Sequence, residues 1–224
     1  MAHLDRLVTA KAVAQYAAVI GRQFSYKLLQ AVSPLDALTL QRELGRLVEA
    51  ELMYRRGLPP QAIYVFKHAF IQDAAYQSLL KSTRQHYHQR IVYVLEEQFP
   101  ETTAGQPELL AHHYTEAGLN AQSVGYWYKA GQRASERSAF VEAIAHHTTG
   151  LAVLAALPNP SEHALEELDI QITLGAVSML LKGHATPEVE GAYSRARVLC
   201  QQLGDSPRLL SASSAILIRY AGSP

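Results

Sequence analysis

Apolar residues recur at helical spacing along nearly the whole chain, and the period falls to two in only two short stretches, Glu51–Arg56 and Ala62–Lys67. That pattern commits the protein to a mainly α fold with one small β-hairpin, turned by Gly57–Gln61. With 224 residues, 48% apolar and 18% charged, disorder is excluded and there is ample chain for a core, as one large or two modest domains. Charge divides them. Residues 1–100 carry 12 Lys or Arg against 8 Asp or Glu, and the remainder 8 against 12, so a balanced total conceals a basic half and an acidic half. The segment Pro100–Glu108, with its prolines, glycine and paired threonines, is expected to hold neither helix nor ladder. The expected layout is a first domain over 1–99, a linker over 100–106 and a second domain over 107–224.

In the first domain, Leu7, Ala10, Ala14 and Ala17 mark one helix face, with Gly21 as its stop. A short helix follows from about Ser25 to Ala31. The third helix has Ser33 to cap it, Pro34 at its first position and Asp36 against its free amides, and it buries Leu40, Leu44, Leu47 and Val48. In the second strand Tyr64, Phe66 and His68 share one face and Ile63 and Val65 the other, which predicts aromatics packed inward. Helical spacing resumes through Ile71, Ala75 and Leu79, then through Tyr87, Ile91, Val94 and Leu95. Three helices followed by a two-stranded wing is a winged-helix order. A plain small helical domain with a hairpin satisfies the same pattern.

The second domain shows five one-sided stripes and no strand. They run through Leu110, His113, Tyr114 and Ala117; through Val124, Trp127, Gly131 and Ala134; and through Ile144, His147, Leu151 and Leu154. The fourth takes Leu165, Leu168, Ile172, Ala176 and Met179, and the fifth Val189, Tyr193, Ala196, Cys200 and Leu203. Thr186-Pro187 and Ser206-Pro207 look like helix starts, and Gly204 like a stop. The order of large and small residues at Trp127, Ala130-Gly131, Ala134, Ala143 and Gly150 is similar to tetratricopeptide repeats. His147 stands where an aromatic is usual, and Gly150 and Ala196 lie 46 positions apart, longer than the usual unit of about 34. Helix pairs with lengthened helices in a right-handed stack are expected, with an ordinary helical bundle as the alternative.

Balanced charge disfavours nucleic-acid or membrane binding by bulk attraction. The single cysteine, Cys200, excludes an internal disulfide or a cysteine metal cluster and fits a reducing, cytoplasmic setting. His3, Asp5, Arg6 and Lys11 interrupt the apolar stretch a secretory signal needs, and the longest weakly apolar run, Ile172–Leu181, is far short of the roughly 20 residues of a membrane helix. No metal site is expected: the pairs His112-His113 and His146-His147 diverge on a helix, as do His86 and His88. Glu96-Glu97 and Glu166-Glu167 read as solvated faces, and no Ser-His-Asp order stands out.

The stretch Phe66–Gln85, FKHAFIQDAAYQSLLKSTRQ, followed by LEEQFPET and PELLAHHYTEAGL, resembles bacterial signal-transduction ATPases of the multidomain nucleotide-switch class. Many of these are described as adenylate or guanylate cyclases, because a class III cyclase domain precedes the ATPase. The resemblance covers nearly the whole chain and implies a winged helix followed by the first tetratricopeptide repeats, docking on an ATPase module or a protein partner. It also implies a role for His68: in the family's aromatic-x-Phe-x-His pattern, matched by Tyr64, Phe66 and His68, the imidazole senses nucleotide state and favours the ADP-held form. A histidine at a strand end is otherwise an ordinary polar group. The chain has no G-x-x-x-x-G-K-[ST] and no paired-aspartate cyclase segment, so it is expected to be non-catalytic, with ATP or ADP belonging only to the ATPase module and no cofactor of its own.

The competing function is a DNA-binding transcriptional regulator. Its candidate contacts are Arg42 and Arg46 on the third helix and Arg55 and Arg56 on the wing, interleaved with Glu43, Glu49 and Glu51. At the far end, 207–220 reads as a repeat helix with Ile216, Leu217 and Ile218 in succession, too many apolar residues for one neighbour to cover, so self-association through this end or fraying is expected.

Overall fold

The computed structural model describes the backbone of residues 2–204 apart from Ala185, with side chains from Thr9 onward. Among these residues it holds eleven α-helices, one 3-10 turn and one three-stranded antiparallel sheet. The helix expected over 207–220 lies outside the described residues. The described residues form two compact units, one of residues 2–103 with 116–118 and one of 104–115 with 119–204.

The first unit opens with α1 (Ala2–Ile20), ended by Gly21 at φ +146°, whose N–H reaches the Ala17 carbonyl at 3.1 Å. Its buried side is Val13, Ala17 and Ile20. β1 (Gln23–Ser25), α2 (Tyr26–Val32), α3 (Ala37–Glu49), β2 (Met53–Arg56) and β3 (Ile63–Phe66) follow. The strand β1 was not legible in the sequence, because three residues show no period. It pairs antiparallel with β3, Phe24 opposite Tyr64, and gives the order β1-β3-β2. Ser25 ends the strand and starts the next helix, its Oγ accepting the Leu28 N–H at 3.2 Å. Phe24 stacks on Tyr64 at 5.8 Å and tilts over Phe66 at 6.2 Å, so the inward aromatics of the hairpin meet a partner supplied by β1.

The start of α3 lies three residues beyond the one expected. Asp36 is the cap, its Oδ1 accepting the Thr39 N–H at 2.9 Å, whereas Ser33 ends α2 and accepts the Leu35 N–H. Pro34 therefore sits in the turn. Of the expected stripe Leu40, Leu44 and Leu47 are buried, each side chain contributing about 1.5–3 kcal/mol, and Val48 is only half-buried. α4 (Ala69–Gln77) and α5 (Lys81–Gln98) complete the unit, with α1 packed on both.

The segment expected to exclude helix instead forms α6 (Pro100–Gly105). Pro100 stands at the first helical position, where its missing N–H costs nothing, Glu101 meets the helix N-terminus, and the Thr103 N–H reaches the Phe99 carbonyl at 3.0 Å.

The second unit contains α7 (Pro107–Glu116), α8 (Asn120–Glu136), α9 (Phe140–Ala155), a 3-10 turn (Pro160–His163), α10 (Ala164–Lys182) and α11 (Pro187–Leu203). Successive helices from α8 to α11 pack on one another. α11 begins at Thr186-Pro187 and ends at Gly204, φ +69°, as expected. Stripes are not all one-sided, however. α10 buries Leu168 against Tyr193, Ala196 and Cys200 of α11, and buries Ile170 and Val177 in clusters with α8 and α9, because it lies between neighbours. Leu165, expected in the stripe, is 49% exposed.

Glycines set the closest helix approaches. A Cβ on Gly131 of α8 would lie 2.6 Å from Nδ1 of His147 in α9, and a Cβ on Gly175 of α10 would lie 2.9 Å from the ring of Tyr193 in α11. The two glycines are 44 positions apart and the two rings 46, so the same notch recurs in consecutive helix pairs.

Candidate functional site

His68 lies beyond the end of β3, at the residue before α4, with extended backbone (φ −132°, ψ 144°). Its carbonyl accepts the Ile71 N–H at 3.1 Å, and its side chain makes no cap hydrogen bond. Strand alternation stops at Phe66, so His68 does not join Tyr64 and Phe66 in the core. Those two are 2% and 1% exposed, whereas His68, Ala69 and Phe70 are exposed, Phe70 at 84%. Of the expected triplet, the structure brings together the two aromatics and leaves the imidazole on the surface. Lys67 is held nearby by Glu51 at 2.6 Å, which lowers the Glu51 carboxyl and raises the lysine.

The arginines divide into two kinds. Arg42 Nε donates to Glu43 Oε1 at 3.0 Å, and Arg46 donates to both Glu43 oxygens at 2.9 and 3.0 Å. Glu43 is fully buried. A buried carboxylate requires a paired cation, which Arg46 supplies to both oxygens, while Arg42 adds one bond and keeps its side chain largely exposed. In the sequence Glu43 reads only as a diluting charge among the arginines; its i, i+3 spacing to Arg46 is the signal of their pairing. Arg55 and Arg56 stand exposed on β2, Arg55 opposite Tyr64 in the register. Burial raises the Tyr64 hydroxyl, and Arg55 partly offsets it.

The histidine pairs split as helix geometry requires. His113 and His147 are buried, His112 is exposed, and His146 stacks on Trp127 at 5.5 Å. Both ring nitrogens of His147 are buried without a hydrogen-bond partner, and burial pushes its pKa down to about 4, with His146 adding to the effect. It is thus a neutral ring filling the notch at Gly131. Among the described residues no group of three or more His, Cys, Asp or Glu is arranged to hold a metal ion, and no helix is long and apolar enough to cross a membrane.

No family model matches the chain, and no solved structure matches it. It is similar to an uncharacterized protein of Rhizobium meliloti (strain 1021), 33% identical over 141 residues, covering 62% of this chain and 14% of that relative.

Proposed function

We propose that the chain is a non-catalytic regulatory segment of a cytoplasmic nucleotide-switch signalling protein, a winged helix that docks on an ATPase module followed by tetratricopeptide-like repeats that bind a protein partner. The observation that carries this reading is the connectivity of the first unit: helix, strand, helix, helix and hairpin, with the first strand added to the last. The recurring glycine notch supports the repeat reading of the second unit. The similar Rhizobium protein carries its matched segment within a far longer chain, which agrees with a module that works beside others. His68, exposed on the surface, is the residue assigned to nucleotide sensing, and the exposed Phe70 two residues on is assigned to docking. In the DNA-binding alternative Arg55 and Arg56 stand exposed, while Arg42 and Arg46 share the single carboxylate of Glu43 and keep a net positive charge between them.

The test has two arms. The purified chain is expected to neither hydrolyse ATP nor form cyclic nucleotide, and contaminant-free turnover would overturn the regulatory reading. Joined to a P-loop ATPase of the resembled class, the His68→Leu variant is expected to release ADP several-fold faster. Unchanged release would leave His68 a surface residue.

A further inference from the structure

A cleft of about 370 Å3 opens in the second unit where the two helix pairs meet. Its floor is apolar, formed by Leu151 and Leu154 of α9 under Pro160 of the 3-10 turn. Its wall is polar. Glu167 and Gln171 lie one turn apart on α10, His163 ends the 3-10 turn just before that helix, and Arg195 reaches across from α11. Arg195 donates to Glu167 twice, Nε to Oε1 at 2.6 Å and Nη2 to Oε2 at 2.7 Å. His163 Nδ1 lies 3.1 Å from Glu166 Oε2. The connection between α9 and α10 builds the rim: Asn159 takes the left-handed conformation (φ 56°, ψ 65°), and its Nδ2 donates to Glu162 Oε1 at 3.1 Å.

Size, floor and wall together define an occupant. At roughly 30 Å3 for each water-sized group, the cleft holds on the order of twelve non-hydrogen atoms. The floor calls for an apolar body. The wall sets opposite charges side by side, and the Arg195 and Glu167 side chains remain 44% and 19% exposed, so a ligand in the cleft can reach both. A ligand with its own ammonium and carboxylate exchanges that one pair for two. A ligand with a single charge meets one wall group of like sign.

We propose that this cleft binds a small zwitterion with an apolar body, of the class of a free amino acid with an aliphatic or aromatic side chain. The ammonium lies on Glu167, the carboxylate on Arg195 and His163, and the side chain on Leu151 and Leu154. The assignment stands on the cleft alone and holds whether or not the first unit docks on an ATPase.

The test titrates the full chain with L-phenylalanine and L-leucine, and with 3-phenylpropionate and phenethylamine as single-charge probes, by calorimetry and amide chemical shifts. At least one amino acid is expected to bind one site with a dissociation constant of about 1 mM or tighter, and each single-charge probe about tenfold more weakly or worse. Glu167→Gln and Arg195→Gln are expected to cost about tenfold each. Ala155→Trp fills the cleft from an exposed position and is expected to abolish binding with an unchanged circular dichroism spectrum. Absence of saturable binding by both amino acids, equal affinity for a single-charge probe, or undiminished binding by the Ala155→Trp variant would each overturn the proposal. So would equally tight binding of an end-blocked peptide with the same side chain, which would make the cleft a docking site for protein.

Discussion

Two glycines on one helix are expected to respond to the same substitution with opposite sign. Gly125 and Gly131 both lie in α8, and replacing either with Ala gains about 0.8–1.0 kcal/mol of helix propensity. At Gly125 a new Cβ meets nothing within 4 Å, so Gly125→Ala should stabilise by about that amount. At Gly131 the new Cβ lies 2.6 Å from His147 Nδ1 and closer still to Cε1, against a ring that is fully buried and packed beside Tyr128 at 5.8 Å. The ring must yield by nearly an ångström in a filled space, which places the overpacking cost near the top of its usual range, about 3 kcal/mol. Gly131→Ala should therefore destabilise the second unit by about 2 kcal/mol net. Urea unfolding followed by the fluorescence of Trp127, the chain's one tryptophan, reads this unit directly, since its indole donates to Thr115 Oγ1 at 3.0 Å and stacks on His146. In a His147→Ala background the penalty should vanish and the propensity gain return. A Gly131→Ala variant as stable as Gly125→Ala would refute the notch as the device that sets helix approach.

His147 also makes stability depend on pH: its pKa falls from 6.5 to about 4 on folding, so between those values the unfolded chain binds more protons and stability rises with pH. The contribution is full above about pH 6.5 and declines by up to roughly 3 kcal/mol toward pH 4, and the difference between wild type and His147→Phe in denaturant titrations should show this slope. A parallel pair of pH curves would refute it. Capping of α3 supplies another check: Asp36→Ala should cost about 1 kcal/mol through the lost bond to Thr39. In denaturant titrations at falling pH the Asp36→Ala loss should shrink as acid protonates the carboxyl, whose pKa the helix amides hold below its ordinary value.

Helices with strong ends were legible before any coordinates. The α11 start at Thr186-Pro187 and stop at Gly204 follow from backbone chemistry local to those residues, and the inward Tyr64 and Phe66 follow from strand alternation. A mainly α chain with one hairpin was determined in the same way, because hydrophobic period is a property of neighbouring residues. What depended on distant partners was not legible. β1 is a strand only because β3 offers it a ladder. The helix Pro100–Gly105, by contrast, was encoded locally by a proline at its first position, and the turn-forming composition around it masked that signal. That Arg42 and Arg46 both turn to one carboxylate depended on how deeply Glu43 is buried when α3 packs, although its i, i+3 spacing to Arg46 was visible in the sequence. The cleft at Glu167 and Arg195 draws its wall from residues 28 positions apart, so it came into being only when α11 packed on α10.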